Sequence, residues 1–182
     1  VGPRLGRFPR NEKPHTLPGH NLNLVALGGF ILWFGWFGFN GGSTAAATVD
    51  IGLINLNTQL AACAGAIGAL LACRFTGQPM LLTAIINGVL GGLVAITAGC
   101  ATTTPDWAIL TGAVGGFVAI VGMKVLDFFR FDDVVGAVAV HGFAGAWGTL
   151  AAGLFFAADP FNADRVIVQL IVARGSEACS PW

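Results

Sequence analysis

His141 is the one ionisable side chain in the run VVGAVAVHGFAGAWGTLAAGLF, Val134 to Phe155, which follows the carboxylates of Asp132 and Asp133. A neutral imidazole accepts a hydrogen bond at one ring nitrogen and donates from the other, so it can hold a small base and relay a proton. An ionisable group in so apolar a run faces a bundle interior or a pathway, because hydrocarbon solvates it poorly. The same residue also fits a neutral histidine hydrogen-bonded between helices, and residue pattern alone leaves both readings open. Its expected helical face carries Ala137, Ala144, Gly145, Gly148 and Ala152. Such small side chains leave room for a close helix neighbour or a narrow lumen.

A second constellation lies in LWFGWFGFNGGS, Leu32 to Ser43. The helical period brings Leu32, Trp36, Phe39 and Ser43 onto one face, which grades from aliphatic through aromatic to hydroxyl. A hydroxyl oxygen beside an aromatic ring can recognise a small cation by hydrogen bonding and cation–π attraction. Aromatics near a helix end also form the interfacial belt of membrane proteins, and the spacing alone does not exclude that role.

The elements that must carry these residues are membrane helices. Of the 182 residues, 55% are hydrophobic and only 10% charged, against about 25% charged in soluble domains. The 27 glycines fit closely packed transmembrane helices. A span needs about 20 mostly apolar residues, and five such segments can be drawn, over 22–42, 54–73, 80–100, 107–127 and 134–157. The run Val166 to Ala173 is too short to span, and an atypical tail follows over 174–182. The predicted fold class is therefore all-α, a polytopic transmembrane helical bundle with a truncated sixth helix. Gly77 and Pro79 punctuate the second and third segments, Pro105 and Asp106 open the fourth, and Asp159 and Pro160 close the fifth. Asp132 and Asp133 suit a helix start. Counted from Asp133, His141 lies about 12 Å along its helix, near the midplane of a core about 30 Å thick.

Arg4, Arg7, Arg10, Lys13, Arg74, Lys124 and Arg130 fall on one side of this arrangement, whereas Arg165 stands alone in the opposite connectors. The positive-inside rule then makes residues 1–20 cytoplasmic in a multi-pass protein of the cell membrane. Zero net charge argues against a nucleic-acid partner. Cys63, Cys73, Cys100 and Cys179 lack metal-ligand spacing and read as small packing residues. Asn57, Asn87 and Thr97 suit hydrogen bonds between helices. No phosphate loop, nucleophile elbow or HExxH motif is present, so no enzyme, metal or cofactor is expected.

The stretches GPRLGRFP, HNLNLVALGGFILWFGWFGFNGGS, NGVLGGLVAITAGCA and DDVVGAVAVHGFAGAWGTLAAGLF together resemble the ammonium transporter family of Amt, Mep and Rh proteins. The similarity runs from the start to about Phe155, and residues 1–173 read as a partial transporter domain. The resemblance implies homotrimers of eleven-helix subunits, each with a narrow hydrophobic pore for ammonium or ammonia, with methylammonium as an analogue. The present helices look like the sixth to the tenth with a truncated eleventh. His141 matches the second of a pair of pore histidines, Phe39 one of two gate phenylalanines, and Ser43 a hydroxyl of the outer recruitment site. Leu32 falls at an apolar pore-lining position beside Trp36. Moving a bare cation through hydrocarbon costs tens of kcal/mol by Born estimates. Removing its proton at neutral pH costs roughly 3–5 kcal/mol, which explains a histidine in an apolar pore.

The departures matter too. The family's first pore histidine, its other gate phenylalanine and its recruiting acid have no match in this sequence. The expectation is a fragment of a full-length transporter inserted in the lipid bilayer. The alternative is a short, non-transporting assembly or regulatory partner of complete transporters. The tail does not match the cytoplasmic segment used by PII-type regulators, so no such regulator is expected to bind this chain.

Overall fold

In the computed structural model, which describes residues 2–174 apart from positions 11 and 18, helices supply the regular structure and no strand occurs among the described residues. The order is α1 (Leu22–Gly42), α2 (Asp50–Thr76), α3 (Leu82–Thr97), α4 (Pro105–Phe128), a π-helical stretch (Val138–Phe143) running into α5 (Ala144–Leu154), and α6 (Ala163–Arg174). Helices α1, α2 and α4 are long and apolar enough to cross a membrane, whereas α3 and the 138–154 segment are shorter apolar helices. Residues 175–182, most of the atypical tail and Cys179 with it, lie outside the described residues.

The punctuation acts as expected at most ends. Asn21 caps α1, its Oδ1 accepting from the N–H groups of Asn23 and Leu24. Gly77 ends α2 at φ 68°, in the left-handed region, and Pro105 and Asp106 occupy the first turn of α4, where a missing N–H and a carboxylate are both favoured.

Helices α2, α3 and α4 form the body, with α1 against α2 and α3 and the π segment against α3 and α4. Small residues make this possible. A Cβ on Gly116 would fall 2.0 Å from the Gly65 carbonyl oxygen, and one on Gly68 would fall 1.9 Å from that of Ala113. Contacts this close bring backbones together and replace side-chain interdigitation with dispersion between main chains. Asn87 hydrogen-bonds between helices as expected, whereas Asn57 reaches the connector between α3 and α4. The Asn57 amide donates to the carbonyls of Cys100 and Thr103, and the Asn87 amide to the Met123 sulfur. Cys73 and Cys100 are buried packing residues, but Cys63 is exposed.

One expected boundary moves. Asp132 and Asp133 do not begin the fifth helix, because the chain from Phe131 to Gly136 is irregular and Gly136 adopts φ 79°. Asp133 instead reaches forward, and its Oδ2 accepts the Ala139 N–H at 3.0 Å. His141 therefore stands on the opening turns of its helix rather than two turns in.

Candidate functional site

The C-terminal half of α1 turns a row of side chains away from the body. Leu32 is 51% exposed and Phe39 59% exposed, and Ser43, the residue that ends the helix, is exposed as well. Trp36 departs from this row. Its indole is half-buried against Ala62, Val89 and Leu93, and its Nε1–H donates to Thr97 Oγ1 at 2.9 Å. The Trp36 and Phe39 rings still meet edge to face, 5.9 Å apart at 81°. Ser43 Oγ donates to the Phe39 carbonyl at 2.6 Å, so its hydrogen is engaged while its lone pairs remain available as acceptors.

His141 is exposed on the π-helical stretch, with no hydrogen bond among the described residues. A π turn inserts an extra residue per turn and re-aims the side chains around it, which is why such turns recur at functional sites. Here it separates His141 from residues expected on its face. Gly148 and Ala152 are buried, Gly148 so tightly that a Cβ would lie 2.4 Å from the Ala95 carbonyl oxygen. Among the residues that follow His141 in sequence, Gly142, Gly145, Ala146 and Thr149 are exposed or half-exposed.

Helix α3 joins the two constellations. Leu90 packs both against the Ala62, Val89 and Leu93 cluster that receives Trp36 and against the Ala119, Val140 and Ala144 cluster beneath the π turn. Leu32, Trp36, Phe39 and Ser43 thus belong to one helix, and His141 to an element reached across α3 with no direct contact between the two. Sequence reasoning missed the π turn, the Asp133 reach and the burial of Asn40. Asp133 was visible as a helix-start carboxylate, but nothing in the spacing announced the π turn.

At the opposite end of the body, the segment before α1 folds onto the connector after α4. The Arg4 backbone N–H and Nε donate to Asp132 Oδ2 and its Nη2 to Oδ1, all at 2.8 Å. Arg7 bridges Asp127 and the His15 carbonyl. The hydrogen bonds from Arg4, side chain before backbone, bring the Asp132 carboxyl down to about 2, and its presence raises the Arg4 guanidinium. No cluster of His, Cys, Asp and Glu suited to a metal occurs among the described residues.

Comparison with known proteins agrees with this architecture. Residues 1–178 match the family model described as Ammonium Transporter Family. The ammonium transporter Amt2 of Archaeoglobus fulgidus is 46% identical over 156 residues, which are 85% of this chain and 33% of that protein. Ammonium transporter 1 member 4 of Arabidopsis thaliana is 37% identical over 182 residues, 90% of this chain and 36% of its own length. Among solved structures, one titled "Sensor Amt Protein" superposes with a TM-score of 0.85 at 36% identity, covering 95% of this chain and 45% of that one. Mep2 of Saccharomyces cerevisiae gives 0.76 at 26% identity, over 84% of this chain and 38% of its own. The chain thus spans about a third of the length of the curated relatives it matches. With its apolar helices, it is an integral membrane protein, and it belongs to the ammonium transporter family.

Proposed function

We propose that this chain supplies one side of an ammonium pathway in a full-length transporter, with Ser43 at the mouth, Phe39 and Trp36 below it, Leu32 along the apolar wall and His141 deeper in. The observation that carries this reading is the exposed imidazole of His141, set on a π turn amid apolar and small residues. An ionisable group without a protein partner in a membrane helix is functional by default. The exposed apolar side chains of α1, among them Leu24, Leu27, Ile31 and Phe34, call for lipid or further helices around them.

The chemistry follows from relative costs. Ammonium loses its hydration on leaving water, and an apolar wall such as Leu32 offers nothing in return. Ammonia carries no charge and crosses such a wall at far lower cost. A neutral His141 can accept from ammonia at one ring nitrogen and donate to it from the other, and can pass a proton along. Phe39, with the half-exposed Trp36 beside it, offers a ring face that attracts the cation before it is deprotonated.

The test is methylammonium uptake by the full-length transporter carrying His141→Ala, with proton movement followed in parallel. The expected outcome is loss of uptake or of its coupling to protons, at an unchanged amount of folded protein. Unchanged rate and unchanged coupling would remove His141 from the pathway.

A further inference from the structure

Helix α1 has an almost wholly apolar surface, yet the side chain it buries most deeply is an amide. Its buried positions are Gly29, Asn40 and Gly41, and Asn40 is only 2% exposed. The Asn40 Nδ2–H donates to Thr58 Oγ1 at 3.0 Å, while Asn40 Oδ1 is buried without a partner among the described residues. A buried acceptor left unsatisfied is costly, and in a native protein it calls for an explanation.

The partner's chemistry supplies one. Thr58 donates its own hydroxyl hydrogen to the Ile54 carbonyl at 2.7 Å, so its oxygen can only accept. Thr97 is arranged in the same way, donating to the Leu93 carbonyl at 2.7 Å and accepting from Trp36 Nε1 at 2.9 Å. Two threonines, one on α2 and one on α3, therefore offer acceptors of fixed direction. Two donors one turn apart on α1 engage them. Neighbouring helix positions differ by about 100° around the axis, so with Asn40 held inward Phe39 must point away from the body. Gly41 leaves α1 no slack against α2, since a Cβ there would lie 3.0 Å from Asn55 Oδ1 and 3.3 Å from Ile51 Cγ2.

We infer that Asn40 is a positioning residue: its bond to Thr58, with the Trp36–Thr97 bond one turn away, keys the rotation of α1 and so holds Phe39 and Ser43 toward the substrate path. A smooth apolar helix in lipid has no hydrophobic force fixing its rotation, and directional polar contacts do that work. The inference rests on the proposed role of Phe39 and Ser43, but the rotation itself can be measured without transport.

The experiment uses the full-length transporter in membranes, with two readouts. One is the labelling rate of Phe39→Cys by a water-soluble thiol reagent, corrected for the protein without that substitution. The other is the half-saturation concentration and maximal rate of methylammonium uptake with Phe39 intact. Thr58→Val keeps the shape and removes the acceptor, and Thr58→Ser keeps the acceptor. Loss of one such bond shifts a two-state balance by about fivefold. Thr58→Val is therefore expected to change the labelling rate and the half-saturation concentration by about that factor, with Thr58→Ser close to the parent. If Thr58→Val does not accumulate as folded protein, Trp36→Phe removes the second donor while keeping an aromatic ring, and it should move both readouts in the same direction. Unchanged labelling and unchanged half-saturation in the folded variants would overturn the inference. A labelling change in a protein whose uptake proves indifferent to His141→Ala would uphold the rotation and refute the pathway instead.

Discussion

Arg4 holds Asp132 through three separate donors, its backbone N–H, Nε and Nη2, each at 2.8 Å, although the two residues are 128 apart in sequence. Asp132 is the residue before Asp133, and Asp133 accepts the Ala139 N–H on the turn that carries His141. The segment ahead of α1 is thus tied, through two adjacent carboxylates, to the element bearing the imidazole.

This clasp has a definite pH dependence. The Asp132 side chain is 5% exposed, and its carboxyl is brought down to about 2 by the Arg4 side-chain bonds first and the Arg4 backbone N–H second. A group depressed in the folded state adds stability that is complete above the unfolded carboxylate value near 4 and is lost as pH falls through the folded value. The clasp should stay closed from neutral pH to about 4 and open only toward 2. Asp132→Ala, which removes both acceptor oxygens, should open it at neutral pH. Hydrogen exchange at the Arg4 amide checks both, with protection relative to the intrinsic rate at each pH lost only in strong acid or in the variant. Retained protection in Asp132→Ala would show that the clasp is held by something else.

The small-residue seam should be intolerant of a single methyl group. A Cβ at Gly68 would lie 1.9 Å from the Ala113 carbonyl oxygen, which is backbone and cannot rotate aside. Gly68→Ala should therefore force α2 and α4 apart, at a cost of about 1–3 kcal/mol or more. Gly28→Ala on α1 is the control. It has nothing within 4 Å, and relieving a helix interior of glycine stabilises by roughly 0.5–1 kcal/mol. Thermal unfolding in detergent should fall for the first variant and hold or rise for the second.

Much of the fold was legible because composition and period act locally. The apolar runs marked α1 to α4 to within a few residues, and Gly77 and Pro105 fell where their backbone preferences place helix ends. Leu32 and Phe39 were legible for the same reason, since a helical period alone puts them on one face. The rest depends on partners distant in sequence. The start of the fifth helix moved because Asp133 caps from outside and Gly136 turns the chain. The π turn then shifted Gly148 and Ala152 away from His141. Trp36 left the exposed row because Thr97, 61 residues on, offers its indole an acceptor. Asn40 and Thr58 stand 18 residues apart on different helices, and no spacing rule connects them.

Asp133 should matter to transport through the turn it caps. It supplies the oxygen for the Ala139 N–H two residues before His141, and a lost helix cap costs roughly 0.5–2 kcal/mol. Asp133→Ala should lower uptake per folded transporter as the π turn loosens, whereas Asp133→Asn keeps an acceptor oxygen and should retain most of it. Equal losses in the two variants would mean that the charge matters rather than the cap.

Ser43 gives the sharpest test of cation recruitment. Ammonium and methylammonium carry only donors, so a recruiting hydroxyl must accept, and the Ser43 hydrogen is already committed to the Phe39 carbonyl. Ser43→Ala removes that acceptor while leaving the Phe39 ring and the His141 turn in place. A hydrogen bond to a charged group is worth about 1.5–3 kcal/mol, so even partial replacement by water should leave about a tenfold rise in the half-saturation concentration. The maximal rate should hold, because the proposed mechanism sets deprotonation deeper in, at His141. Ser43→Thr preserves the hydroxyl and should stay near the parent. A fall in maximal rate at unchanged half-saturation would instead make Ser43 part of the helix terminus that holds Phe39, and recruitment would have to rest on the aromatic rings alone.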